Sequence, residues 1–61
     1  SVLDAIKHLV DQGELATTKA IADYIGDDYQ GNVSRAIREL LADRKIKKLP
    51  KQGVLQPYES L

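Results

Sequence analysis

Residues 27–44 (DDYQGNVSRAIRELLADR) carry an apolar stripe at helical spacing, and a helix of this length constrains how the shorter segments around it pack. The stripe consists of Val33, Ala36, Ile37, Leu40 and Leu41. Gly31, Asn32, Arg35 and Arg38 fall on the opposite side, away from the core. The pattern predicts one amphipathic helix, over about residues 29–44, that presents an arginine-bearing face to something outside the protein.

A first helix is predicted over about residues 1–12, where apolar residues recur at helical spacing behind Ser1, a candidate N-cap. Gly13 is expected to end it. Residues 14–17 then form a short extended connector, in which Leu15 is expected to fill the core.

A second helix is predicted over about residues 18–25, with Thr17 or Thr18 as its N-cap and Gly26 as a left-handed C-terminal stop. The side chains expected to face inward from it are Ala20, Ile21, Tyr24 and Ile25. Candidates for the cap of the third helix are Asp27 and Asp28. Two helices joined by a glycine-containing turn, the second longer and carrying arginines outward, are typical of a helix-turn-helix.

The periodicity changes after the third helix. Residues 45–49 and 54–56 are predicted to be the strands of a hairpin over about residues 45–56, with a Pro-Lys-Gln-Gly turn between them. Its first strand and its tip are basic. Pro57 is expected to end the second strand, leaving residues 58–61 to fold back on the core or to fray.

The length and composition indicate one small domain spanning residues 1–61. The chain has no cysteine, so the sequence predicts no disulfide and no zinc site; we expect no metal and no cofactor. No apolar run approaches the ~20 residues of a membrane span, so no membrane partner is expected. The start at Ser1 and the absence of methionine suggest an excised or processed domain, and a cytoplasmic setting is the default expectation.

The formal net charge is zero, but the charges are segregated. Residues 1–29 contain two basic and six acidic residues, a net charge of −4, whereas residues 30–61 contain seven basic and three acidic residues, a net charge of +4. Because a field depends on where charges sit, such a domain can present a basic face to a polyanion. A solvated surface with charges that happen to segregate is the alternative.

The order helix, extended segment, helix, turn, helix, hairpin is that of the winged helix-turn-helix fold, which is mainly α with a small β-hairpin. The sequence also resembles the DNA-binding domains of GntR-like repressors and their relatives. The matching positions are Ile21-Ala22, Ile25-Gly26, Val33, Ala36-Ile37, Leu40 and Lys45-Ile46. The segment between the second and third helices is one residue longer than in that family and contains two acids. The resemblance therefore implies the architecture and DNA binding, but not the family's base contacts.

These observations favour double-stranded DNA as the partner, with the third helix in the major groove and the basic hairpin on the backbone or in the minor groove. The role implied is that of a nucleoid-associated transcriptional regulator or DNA-organising protein. The residues expected to contact DNA are Thr18, Lys19, Gln30, Asn32, Ser34, Arg35, Arg38, Lys47, Lys48, Lys51 and Gln52.

Several alternatives remain open at this stage. The same fold serves as a protein-interaction module in replication and other assemblies, and zero net charge favours that use. A Z-DNA-binding domain is disfavoured because the chain has no tryptophan, and an enzyme because no nucleophile or acid–base pair is evident. Arg35 has a competing role as an ion-pair partner of Glu39. A homodimer or an additional domain is a further hypothesis, because one small domain covers only one half-site.

Overall fold

The computed structural model describes residues 1–27 and 30–61, in which three helices precede a two-stranded antiparallel sheet. The elements are α1 (Val2–Asp11), α2 (Thr18–Ile25), α3 (Gln30–Ala42), β1 (Ile46–Lys48) and β2 (Tyr58–Ser60). This confirms the predicted class, mainly α with a small hairpin. The predicted start of the third helix at residue 29 and the candidate cap Asp28 lie outside the described residues.

The first two helices begin at the caps predicted from the sequence. The Ser1 hydroxyl accepts a hydrogen bond from the Asp4 N–H at 3.2 Å, and the Thr17 hydroxyl accepts one from the Ala20 N–H at 3.2 Å. Each bond satisfies one of the four N–H groups that a helix leaves free at its start. Of the two threonines considered for α2, Thr17 is therefore the cap, which leaves Thr18 inside the first turn.

Each of the three helices is followed within two residues by a residue with left-handed backbone conformation. This residue is Gly13 after α1 and Gly26 after α2, with φ of 73° and 75°, as expected for glycine stops, but after α3 it is Arg44, with φ of 58°. The Arg44 N–H donates to the Leu41 carbonyl at 3.1 Å and the Lys45 N–H donates to the Leu40 carbonyl at 2.9 Å. This is the Schellman pattern, built here around an arginine. The helix therefore stops at Ala42, two residues earlier than predicted.

The core lies where the three helices meet β1. Its fully buried members are Ala5, Ile6, Leu9, Ala16, Ile21, Ala22, Val33, Ile37 and Ile46. The expectation that Leu15 fills the core was wrong: Ala16 is 1% exposed and Leu15 only half-buried. Ala16 forms an antiparallel bridge with Tyr58, and because successive side chains of an extended segment alternate, Leu15 is turned away.

The inward face of α2 is narrower than the sequence pattern predicted. Ile21 and Ala22 are buried, but Tyr24 and Ile25 are 51% and 39% exposed, so their predicted inward orientation was wrong. Ile25 is the last residue of the helix, one turn beyond the core contact of Ile21. The Tyr24 ring stacks instead on His8 of α1, with ring centroids 4.6 Å apart.

The hairpin also differs from the prediction. Its second strand is Tyr58–Ser60, not residues 54–56, and Pro57 precedes this strand instead of ending it. The strands pair Ile46 with Ser60, Lys47 with Glu59 and Lys48 with Tyr58. Proline has no N–H to donate, but its carbonyl accepts a hydrogen bond from the Leu49 N–H at 3.0 Å and so extends the ladder by one step.

The segment between the strands closes on itself. We call residues 46–60 the wing and residues 51–55 its tip. Gln52 and Leu55 exchange backbone hydrogen bonds of 2.9 and 3.0 Å around Gly53, whose φ is 64°. The Gln56 side-chain amide donates to the carbonyls of Leu49 and Pro57 at 2.7 and 2.9 Å. The tip is thus held by hydrogen bonds on both sides of the turn.

The left-handed Arg44 predicts a stabilising substitution. A non-glycine residue in this conformation costs about 1–2 kcal/mol, which glycine avoids at an entropic cost of up to about 1 kcal/mol. We expect Arg44→Gly to raise the free energy of unfolding by about 0.5–1 kcal/mol. Urea denaturation of the purified protein measures this.

Arg44→Ala is the matched control, since it removes the same charge but keeps a Cβ in the strained conformation. It is expected to leave stability within about 0.5 kcal/mol of the unmodified protein. Equal stabilisation by glycine and alanine would attribute the effect to the lost charge and contradict the backbone explanation.

Candidate nucleic-acid interface

A polar groove of about 390 Å³ runs between the start of α2, the outer side of α3 and the base of the wing. We call it the basic groove. Ile37 and Leu41, which belong to the apolar stripe of α3, form its apolar part. The residues that line its walls are Thr18, Gly31, Ser34, Arg35, Arg38, Lys48 and Tyr58. Five of these seven, all but Gly31 and Tyr58, were predicted DNA contacts, and the fold brings them together from three separate elements.

Three cations converge on this groove. Arg35, Arg38 and Lys48 have exposed side chains and line it together, and none of the described residues that line it is acidic. Within residues 1–27 and 30–61, none of the three forms an ion pair, so the alternative pairing of Arg35 with Glu39 is not formed. Unpaired cations around a concave surface focus a positive potential there.

The start of α2 adds further positive character. Thr18 is the first residue of that helix and lines the groove. The N–H groups at a helix start carry partial positive charge because they lack partners within the helix. The Thr17 hydroxyl satisfies the N–H of Ala20, which leaves the Thr18 hydroxyl available on the groove side. An oxyanion in the groove would meet a hydroxyl, a helix start and three cationic side chains.

Two groove residues were not predicted as contacts. Tyr58 was assigned to a tail that folds back or frays, but it pairs with Lys48 in the sheet, and its N–H donates to the Ala16 carbonyl at 3.1 Å. Its half-buried ring packs against the core and also lines the groove. The available signals for a strand here were Pro57, which is tolerated just before a strand, and the aromatic Tyr58. Gly31 was predicted to lie on the outward side of the third helix but was not among the expected contacts.

Three predicted contact residues are engaged within the protein. The Lys19 ammonium lies 3.0 Å from the Asp23 carboxylate, and the Lys47 ammonium lies 3.6 Å from that of Glu59 across the sheet. The Asn32 amide donates to the Asp27 carboxylate at 3.3 Å. None of the three lines the basic groove. Lys47 precedes Lys48 on β1, so alternation along the strand directs it to the opposite face.

The remaining predicted contacts lie at the edges of this surface. Gln30 is exposed at the first turn of α3, and Lys51 and Gln52 are exposed at the wing tip. A smaller cleft of about 230 Å³ separates the tip from the start of α2. Its lining residues are Thr17, Thr18, Lys19, Val54, Leu55 and Gln56. The predicted contacts therefore form two groups: those that line the basic groove together, and those that lie elsewhere on the surface.

Neither a cluster of metal-ligating side chains nor a membrane-spanning helix is found in the described part of the chain. No group of three or more His, Cys, Asp or Glu side chains in residues 1–27 and 30–61 is arranged to hold an ion. His8, the only histidine of the sequence, stacks on Tyr24. Among the same residues, no helix combines the length and the apolar character needed to cross a membrane.

Comparison with protein-family models, curated proteins and solved structures gave no significant match to this chain. The resemblance to GntR-like repressors therefore stays a prediction from the matching sequence positions.

Proposed function

We propose that this chain binds double-stranded DNA, with the outer side of α3 in the major groove and the basic groove against the phosphate backbone. The observation that carries the proposal is the convergence of Arg35, Arg38 and Lys48, all without ion-pair partners in the described residues, beside the start of α2. Most protein–DNA hydrogen bonds go to phosphate and sugar, and arginine, lysine, hydroxyl groups and helix starts supply them.

The dimensions of α3 suit this role. Its 13 residues span about 20 Å at ~1.5 Å per residue, and a major groove ~12 Å wide admits a single helix. Val33 and Ile37 bury the opposite side in the core, so the exposed side is free to face a duplex. Arg35 and Arg38 have the reach to contact guanine edges, while Ser34 lies where a phosphate or a base edge would approach.

Binding of a phosphate in the basic groove would fix the register of the helix on the duplex. Thr18 belongs to α2, Lys48 to β1 and Tyr58 to β2, so one phosphate would contact three elements at once. Lys51 and Gln52 at the wing tip would reach the backbone or the adjacent minor groove. Gln30 and Asn32 remain candidates for reading adenine, although Asn32 would have to exchange its hydrogen bond to Asp27.

The charge pattern bounds the affinity. The protein is neutral overall, and Lys19 and Lys47 are paired with carboxylates. Of the other cations, Arg35, Arg38 and Lys48 line the basic groove and Lys51 lies at the wing tip, so only these few are placed to displace counterions from DNA. With three or four phosphate contacts, the logarithm of the binding constant is expected to fall with the logarithm of the salt concentration with a slope of about −3 to −4. Such binding suits one half-site of a transcriptional regulator or DNA-organising protein in the cytoplasm, with dimerisation or another domain adding affinity.

A second candidate is a protein-interaction module. It is favoured by a separate groove with apolar walls between α1 and α2, which lies outside the basic groove. The two uses involve different faces and are therefore compatible.

An NMR titration of the labelled protein with a mixed-sequence duplex, at two salt concentrations, tests the proposal directly. Shifts are expected on Thr18, Ser34, Arg35, Arg38 and residues 48–53, and they should weaken at the higher salt concentration. An unchanged spectrum at low salt would rule out DNA binding and leave the protein-interaction role.

Two lysine substitutions distinguish a specific contact in the basic groove from a general effect of net charge on DNA affinity. We expect Lys48→Gln to weaken DNA binding by roughly five- to ten-fold and to reduce the salt slope by about one, because it removes one phosphate contact. Fluorescence anisotropy at several salt concentrations measures both quantities. Lys45→Gln changes the net charge equally but lies outside the groove, so its effect should be roughly two-fold or less. Equal losses would indicate only a diffuse positive field.

Tyr58→Phe tests whether the uncharged Tyr58 hydroxyl contributes to phosphate binding in the basic groove. The substitution removes the hydroxyl but keeps the ring that packs against the core, so the fold should be retained. Loss of one hydrogen bond to a charged phosphate predicts roughly five- to thirty-fold weaker binding, equivalent to about 1–2 kcal/mol. The salt slope should not change, because no cation is lost. A changed slope with unchanged affinity would exclude this role for the hydroxyl.

A further inference from the structure

A second groove lies on another side of the molecule, between α1, the connector and α2. Its volume is about 550 Å³, and its lining consists of Leu9, Glu14, Leu15, Ala20, Asp23 and Tyr24. We call it the apolar groove. Four of these six residues are apolar or aromatic, and the size lies in the ~300–1,000 Å³ range of sites that hold a ligand.

The groove has a negatively charged rim. Glu14 and Asp23 are exposed at its edge, and Asp23 pairs with Lys19, which leaves Glu14 without an ion-pair partner among the described residues. The surrounding half of the chain, residues 1–29, carries a net charge of −4. The Tyr24 wall is held in place by its stacking on His8. The groove therefore suits an apolar group that is flanked by positive charge.

The same chain carries such a group at its wing tip. Val54 is 95% exposed and Leu55 is 46% exposed, so two neighbouring apolar side chains project together. Lys51 lies beside them, within the half of the chain that carries a net charge of +4. The hydrogen bonds between Gln52 and Leu55 and those of the Gln56 amide hold the tip in one shape. A preformed apolar tip loses little entropy on docking.

The tip does not reach the apolar groove of its own molecule. Val54 and Leu55 line a cleft with Thr17, Thr18 and Lys19 at the start of α2. The groove uses Ala20, Asp23 and Tyr24, which lie further along the same helix, and none of these three residues lines the cleft. The two complementary surfaces are therefore separate patches of one molecule.

We infer that the wing tip of one molecule docks in the apolar groove of a second copy of this chain. Val54 and Leu55 enter between Leu15 and Tyr24, and Lys51 lies against Glu14. Because each molecule contributes a tip on one side and a groove on another, the contact is heterologous and propagates head to tail. A tip of this size places the association in the weak, transient class of interfaces.

The contact does not require DNA, but it uses the same wing as the proposed DNA interface. A wing seated on DNA is not available to a neighbouring molecule. The test therefore uses the complete chain without DNA, so its outcome does not depend on the proposed function.

Two exposed substitutions each remove one half of the contact. Val54→Asp places a negative charge on the tip but leaves the groove intact, and Tyr24→Lys removes one wall of the groove but leaves the tip intact. Both sites are more than half exposed, and circular dichroism checks that the helices are retained. Sedimentation velocity at low salt, over about 10 µM to 1 mM protein, measures the average mass.

The unmodified protein is expected to grow in mass with concentration to beyond that of a dimer. Each variant alone should remain monomeric. Their equimolar mixture should approach twice the monomer mass and go no further, because only one tip and one groove remain functional. In the mixture, isotope-labelled Val54→Asp protein should show shifts at Leu15, Ala20 and Tyr24.

Three outcomes would overturn the inference. They are a monomeric unmodified protein throughout this range, a mixture that does not associate, and single variants that associate as well as the unmodified protein. A monomeric unmodified protein would indicate that the groove binds a basic, apolar segment of another protein. Association of the single variants would indicate a symmetric interface.

Discussion

Burial of a small set of aliphatic side chains is the constraint on which everything else in this structure depends. Nine of the described residues form the buried core, and a chain of this length buries only about 60% of its unfolded surface. Val33 and Ile37 hold α3 against Ile21 and Ile6, and this packing decides which side of α3 faces outward. The position of the arginines is thus a consequence of the core. Weakening the core would disturb the geometry of the basic groove, although the charged residues would still be present.

The ion pairs determine where the surface is positively charged as much as the positions of the charged residues do. Lys19 and Lys47 are neutralised by carboxylates one helical turn or one strand away. Such exposed pairs contribute little stability, about 0.2–1 kcal/mol, but they remove positive charge from the flanks of the basic groove. Three of the cations without an ion pair among the described residues, Arg35, Arg38 and Lys48, line one concavity. A protein with no net charge can therefore present a local positive site, which composition alone would not indicate.

The wing links the two proposals because its two ends differ in character. Its base contributes Lys48 and Tyr58 to the basic groove, where charge and hydrogen bonding dominate. Its tip carries Val54 and Leu55, which are exposed and apolar. The Gln56 side chain, bonded to the Leu49 and Pro57 carbonyls, joins base and tip into one unit. Occupation of the wing by DNA would therefore compete with head-to-tail association, which couples the two activities.

The sequence by itself determined the features that depend on neighbouring residues: the caps Ser1 and Thr17, the stop at Gly26, the buried stripe of α3 and the outward Arg35 and Arg38. These follow from local hydrogen bonding and helical periodicity. Only the tertiary structure decided that Ala16 and not Leu15 enters the core, that Tyr58 opens the second strand, and that Lys47 pairs with Glu59. Each of these depends on a partner distant in the sequence, as when Ala16 pairs with Tyr58. A one-residue change of register reverses the face of every side chain in an extended segment, and local sequence does not specify that register.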